Sequence, residues 1–203
     1  MNNLSKTENR ILMVNAREAL RGKWGLSIGT CVVYLLILIP IQLIPFIGFI
    51  ASILISGPLA VGLAIFSLSI SRKQNAEVGQ LFKGFEKFGT TVGAYLLQLI
   101  LIILWMLLLI VPGIIAALSY ALTYYIIVEN DSIGPLEAIT KSKEMMQGNK
   151  WKLFCLGLRF IGWALLCILS LGIGLLWLMP YIMVSFAKFY DDVKGQETNN
   201  ATT

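Results

Sequence analysis

The sequence predicts an all-α, polytopic membrane protein with six transmembrane helices arranged as three hairpins. Three observations lead to this fold class: long stretches carry almost no charge, the middle stretch has a Pro-Gly pair at its centre, and basic residues concentrate between the stretches. The 203 residues are 57% apolar and 13% charged, and the mean hydropathy is +0.79. A soluble domain is nearer half apolar and about a quarter charged.

Each of the three stretches is long enough for two membrane crossings. Residues 24–70 and 88–128 contain no charged residue, and residues 153–187 contain only Arg159. A bilayer core needs about 20 apolar residues per helix, so each stretch predicts a pair of helices. The predicted hairpins cover about residues 24–70, 88–128 and 153–190.

The motif LWMLLLIVPGIIAALSY, residues 104–120, decides whether the middle stretch is one helix or two. As a single helix the stretch would be about 60 Å long, roughly twice a bilayer core of about 30 Å. Pro112 lacks a backbone N–H and Gly113 lacks a Cβ, so both favour a break. We therefore predict a hairpin turn at Val111-Pro112-Gly113.

The distribution of basic residues predicts the orientation. Fifteen of the sixteen Lys and Arg residues lie on segments that a six-helix topology puts on one side. The predicted turns on the other side, near residues 40–45, 112–113 and 172–174, contain none. Because basic residues favour the cytoplasm, we predict that both termini are cytoplasmic. We also predict a single integral-membrane domain over residues 1–192, followed by a disordered cytoplasmic tail over residues 193–203.

The polar segments are predicted to contain amphipathic cytoplasmic helices. The first covers about residues 6–21, after Ser5 and Glu8, which have capping-box spacing. One face is apolar and the other is basic: Leu12, Ala16, Ala19 and Leu20 against Arg10, Arg17 and Arg21. The pattern is typical of a helix on anionic lipid headgroups, and equally of a helix packed on the end of the bundle.

A second cytoplasmic helix is predicted to begin at Pro135, which suits the first helical position, and to stop at Gly148. Residues 142–151 repeat the pattern of residues 16–24, in which a helix ends at glycine and Lys-Trp opens a transmembrane helix. Trp24 and Trp151 therefore occupy equivalent positions.

Polar side chains within the apolar stretches are the first candidates for function, because they are costly in lipid. Arg159 is the only charge among them. It is expected to snorkel to a lipid phosphate or to bind an anion or substrate. Otherwise it pairs with a carboxylate: Glu129, Asp191 or Asp192.

Two glutamines and three basic residues complete the candidates. Gln98 is expected to hydrogen-bond another helix, and Gln42 is expected at an outer turn within reach of water. Arg17, Arg21 and Lys150 are candidate contacts for anionic lipid headgroups at the cytoplasmic face.

The residue inventory does not predict an enzyme, a metal site or a cofactor. The chain has no His, and its three cysteines lie in apolar stretches, where they act as small hydrophobic residues. No predicted span contains Asp or Glu, which argues against an ion-coupled carrier. Nucleic-acid binding is not expected either, because the basic residues flank membrane segments.

Six motifs occur in order from residue 81 to residue 190: LFKGFEKF, LWMLLLIVPGIIAALSYALTYYII, EAITKSKEMMQGNKWKLF, FIGWALL, LGIGLLWLMPY and AKFY. Together they resemble the bacterial integral-membrane family catalogued as domain of unknown function 975, and the similarity covers nearly the whole chain, about residues 10–192. The resemblance implies a polytopic plasma-membrane protein with no established activity and no catalytic residues to transfer. The family usually has a small polar residue before FIGW, where this chain has Arg159.

These observations favour a protein that binds or organises a membrane partner or lipids, in envelope homeostasis or immunity to membrane-active peptides. The expected partners are the phospholipid bilayer, anionic headgroups, and a membrane protein or second copy of the chain. The alternative is a small-molecule transporter or lipid translocator. A polar cavity joining Gln98, Ser119, Thr123 and Arg159 would favour the alternative.

Overall fold

The structure of the protein is a computed structural model that describes residues 4–44, 47–169 and 172–201. Over these residues it consists of helices and turns, with no strand. The helices are α1 (Asn9–Ala19), α2 (Trp24–Gln42), α3 (Ile47–Ser71), α4 (Gln80–Lys83), α5 (Phe88–Leu108), α6 (Ile110–Ser119), α7 (Thr123–Glu129), α8 (Pro135–Met145), α9 (Lys150–Leu169) and α10 (Leu175–Ala201). One turn of 3₁₀-helix joins α4 to α5.

Within the described ranges, five helical stretches are long and apolar enough to span a membrane. They are Trp24–Gln42, Ile50–Ser71, Gln80–Leu108, Ile110–Glu129 and Lys150–Ile168. Only 17% of the apolar window of α2 and of α9 is buried inside the protein, against 67% for α3. So much exposed apolar surface is unusual for a soluble monomer. It suggests a membrane protein with α3 at its centre.

The sixth predicted span corresponds to the first part of α10, which is not among these five. The second half of α10 is polar and includes the charged residues Asp191 and Asp192. The helix continues to Ala201, so the tail predicted to be disordered is instead helical from residue 193 to 201. Val193 is buried and Lys194 pairs with a carboxylate of α7, and these contacts stabilise the beginning of this segment. Residues 202–203 lie outside the described part.

The break in the middle stretch lies at Leu109, not at Val111-Pro112-Gly113. Leu109 has an extended backbone, with φ −164° and ψ 149°, between α5 and α6. Pro112 lies in the first turn of α6, where backbone N–H groups have no intrahelical partner, so its missing N–H costs little. Gly113 packs against α5: a Cβ there would lie 2.3 Å from Cγ of Met106. Gly113 therefore allows α6 to pack closely against α5 beside the turn.

The N-terminal helix α1 begins at Asn9, later than predicted, and the predicted capping box does not form. The Ser5 hydroxyl donates instead to Asp192, and Glu8 makes no side-chain cap. The predicted apolar face is buried, as expected: Leu12, Ala16, Ala19 and Leu20. Part of it packs against Phe66, Ile70 and Val184 of α3 and α10, whereas Arg10, Arg17 and Arg21 are exposed. Packing on the bundle accounts for the apolar face, and lipid contact of the basic face stays a prediction.

Both predicted glycine stops occur. Gly22 follows α1 with φ 80°, and Gly148 follows α8 with φ 79°. Positive φ is disfavoured for residues that carry a Cβ, and glycine commonly ends helices in this conformation. The two repeated segments therefore share a local structure, and α8 begins at Pro135 as predicted.

Candidate functional site

The residue Arg17 lies at a groove that follows the first half of α10. We call it the tryptophan groove; its volume is about 500 Å³. It is lined by Arg17, Trp24, Trp163, Cys167, Gly174, Trp177, Leu178 and Tyr181. Helix α10 packs against both α2 and α9, so Trp24 of α2 and Trp163 of α9 line the groove together with residues of α10. Indole rings give the groove apolar walls with polar N–H groups, and Arg17 adds a positive charge.

A second pocket, which we call the Arg159 pocket, lies between the start of α1 and the first half of α9. Its volume is about 350 Å³. It is lined by Glu8, Asn9, Arg10, Trp151, Lys152, Cys155 and Arg159. The pocket shares no lining residue with the tryptophan groove. Arg10 and Arg159 are both exposed.

Gln98 makes the predicted interhelical hydrogen bond, and it does so at a helix break. Its Nε2 donates to the Tyr120 carbonyl at 2.7 Å, between α6 and α7. Ser142 of α8 bridges the same break: its hydroxyl donates to the Ser119 carbonyl at 2.9 Å and accepts from the Leu122 N–H at 3.2 Å. Backbone groups freed by a break need partners in an apolar environment. The geometry therefore gives Gln98 a structural role.

The remaining candidates line neither of the two pockets. Gln42 is the exposed last residue of α2, and Arg21 is exposed just after α1. Lys150 is the partly buried first residue of α9. None of the three lines the tryptophan groove or the Arg159 pocket. Arg17 and Arg159 line different pockets, so neither pocket brings the candidates together.

The carboxylates predicted as partners of Arg159 bind other residues. Nη2 of Arg72 donates to Glu129 at 2.5 Å and to Asp191 at 2.7 Å. Glu129 also accepts from Lys194 at 2.6 Å and from the Tyr190 hydroxyl. We call these five residues the carboxylate cluster. It joins the ends of α3 and α7 to the second half of α10.

The neighbouring carboxylate, Asp192, attaches the N-terminal segment to α10. It accepts hydrogen bonds from the Ser5 hydroxyl and from the Thr7 backbone and hydroxyl, and Nζ of Lys152 lies 3.7 Å away. Burial alone would raise the pKa of Asp192, but the hydrogen bonds from Ser5 and Thr7 hold that pKa below its ordinary value. Asp192 is therefore ionised at neutral pH.

Sequence reasoning did not predict the cluster or the groove. Arg72 and Asp191 are 119 positions apart, and no local pattern connects residues at that distance. Tyr190 is buried and its ring stacks on that of Tyr125, with 5.3 Å between the ring centroids. The only sequence signal for the groove was the presence of Trp163 and Trp177 in adjacent predicted helices. Tryptophans are also common at the membrane interface, so this signal did not predict a groove.

A family described as "Protein of unknown function (DUF975)" matches residues 95–197, which is more than half of the chain. The chain belongs to this family. The DUF975 match runs from α5 to α10 and includes Arg159, whereas Arg17 and Trp24 lie outside it. The match is shorter than the predicted similarity, which covers about residues 10–192. No curated protein and no solved structure matches the chain.

Proposed function

We propose that this DUF975 chain is a non-catalytic, multi-pass protein of the bacterial plasma membrane that binds a phospholipid in the tryptophan groove. The observation that carries the proposal is the groove itself, a space of about 500 Å³ with indole walls and one arginine. Ligand pockets of this kind are mostly apolar with few polar groups. The proposal places an acyl chain between Trp163 and Trp177, and the lipid phosphate beside Arg17.

The proposed orientation has six spans in three hairpins, with both termini in the cytoplasm. The first part of α10 supplies the sixth span. The positions of the basic residues support this orientation, and it puts the carboxylate cluster at the cytoplasmic end. Lipid binding in such a protein suits envelope homeostasis or immunity to membrane-active peptides, acting with a membrane-protein partner or a second copy.

Hydrogen bonding favours this function over the alternative, a transporter or lipid translocator. The hydroxyls of Ser119 and Thr123 donate to carbonyls of their own chain segment at 2.7 and 2.8 Å. Gln98 likewise donates to a carbonyl. All three side chains donate hydrogen bonds to protein carbonyls, so they do not need a water-filled path to satisfy them. None of the three lines the Arg159 pocket.

Filling the groove is expected to remove the bound lipid. Cys167→Phe puts a ring into the groove, while Leu165→Phe adds the same ring at an exposed position of α9 outside it. The measurement is mass spectrometry of the intact protein released from micelles that contain phosphatidylcholine. Wild type and Leu165→Phe are expected to retain one more phospholipid than Cys167→Phe. Equal retention by all three proteins would contradict the proposal.

A further inference from the structure

The Arg159 pocket has an excess of positive charge that the proposed groove does not use. Three basic side chains and one acidic side chain line it. Lys152 already has partners, because its Nζ donates to the Ser5 carbonyl at 3.0 Å and lies near Asp192. Arg10 and Arg159 are both exposed at the pocket, so they remain the two cations placed to meet a ligand.

The two arginines come from different helices that are fixed against each other. On α9, Trp151, Cys155 and Arg159 are spaced four residues apart and share one helix face. Nδ2 of Asn9, next to Arg10 on α1, donates to the Lys152 carbonyl at 2.9 Å. This bond ties the start of α1 to α9, and therefore holds both arginines at the same pocket.

The surroundings of Arg159 indicate where the ligand comes from. The nearby α9 residues Leu158, Ile161 and Trp163 are exposed apolar side chains, so Arg159 lies on apolar helix surface. A charge in such a position is costly unless it reaches water or an opposite charge. Guanidinium groups match phosphate oxygens with paired N–H donors.

We propose that Arg10 and Arg159 together bind a phosphate group, that of an anionic phospholipid in the adjacent leaflet. The pocket volume, about 350 Å³, is at the small end of ligand pockets and suits a headgroup. This site goes beyond the proposed groove and does not depend on it, since their lining residues are separate.

Substitution of each arginine tests the site on the full-length protein in micelles of phosphatidylglycerol and phosphatidylcholine. Arg10→Gln and Arg159→Gln are expected to lower the affinity for phosphatidylglycerol about tenfold, which corresponds to about 1.4 kcal/mol. Arg159→Lys is expected to lose affinity as well, because a lysine cannot present the planar fork. The matched control is Arg21→Gln, an exposed arginine outside the pocket, which is expected to bind like wild type.

The outcomes distinguish binding at the Arg159 pocket from binding in the tryptophan groove. They also distinguish a lipid phosphate from free inorganic phosphate as the ligand. Unchanged affinity in Arg159→Gln overturns the proposal, and so does unchanged affinity in Arg159→Lys, which would indicate simple snorkelling. If inorganic phosphate competes with phosphatidylglycerol, Arg10 and Arg159 do bind phosphate, but the proposal that the phosphate belongs to a lipid is overturned. Loss of phosphatidylcholine retention in Cys167→Phe alone, with all arginine variants unchanged, would support the groove and reject this site.

Discussion

Glu129→Gln is expected to lower the free energy of unfolding by about 2 kcal/mol, because hydrogen bonds to a charged group contribute about 1.5–3 kcal/mol and two of its partners are partly exposed. The Glu129 side chain is only 13% exposed and is held by Arg72, Lys194 and Tyr190. Glutamine keeps the shape but removes the charge, so both cations lose a partner. Thermal or denaturant unfolding in detergent measures the effect.

The matched control is Glu144→Gln, which removes an exposed carboxylate from α8 and is expected to change the unfolding free energy by less than about 0.5 kcal/mol. A double mutant with Arg72→Gln adds a sharper test. If the cluster holds the helices together, the double mutant loses less stability than the sum of the single mutants. Strict additivity would show that Arg72 and Glu129 do not act together.

Gly62→Ala is expected to destabilise the protein by about 1–3 kcal/mol, the usual cost of overpacking a core. A Cβ at Gly62 would lie 2.1 Å from the Leu81 carbonyl oxygen and 2.6 Å from its carbon. Leu81 is completely buried on α4, and its backbone cannot move away as a flexible side chain can. The substitution therefore forces α3 and α4 apart. Unfolding in detergent reports the loss.

Gly29→Ala is the control for this prediction. Gly29 lies in the apolar helix α2, and nothing lies within 4 Å of the Cβ that alanine would add there. Its unfolding midpoint is expected to stay near that of wild type. If the two alanine variants lost equal stability, the close approach of α3 and α4 would not explain the effect.

Local patterns in the sequence predicted much of the helical architecture. The spacing of Leu12 and Ala16 identified the face of α1 that is buried, and the glycines that end α1 and α8 were recognisable because few other residues tolerate positive φ. The position of the middle break was less predictable. Pro112 and Leu109 differ by one helical turn, and proline is compatible with the first turn of a helix as well as with a break before it.

The candidate sites depend on contacts between distant segments, which a single sequence does not encode locally. Arg159 was identified because a charge in an apolar stretch stands out, but its proximity to Arg10 required the packing of α1 on α9. The groove required α2 and α9 to flank α10. Asp191 and Asp192 are sequence neighbours, yet they bind different segments, because successive helical residues point in different directions.

The central claim is that the apolar helices span a membrane with the carboxylate cluster on the cytoplasmic side. Single cysteines introduced into a cysteine-free background at exposed positions test it, with Leu109 and Ile173 at one end and Lys73 and Lys143 at the other. A membrane-impermeant maleimide applied to intact cells is expected to label the first pair, and to label the second pair only after the membrane is permeabilised. Labelling of the Lys73 or Lys143 position in intact cells would contradict the account.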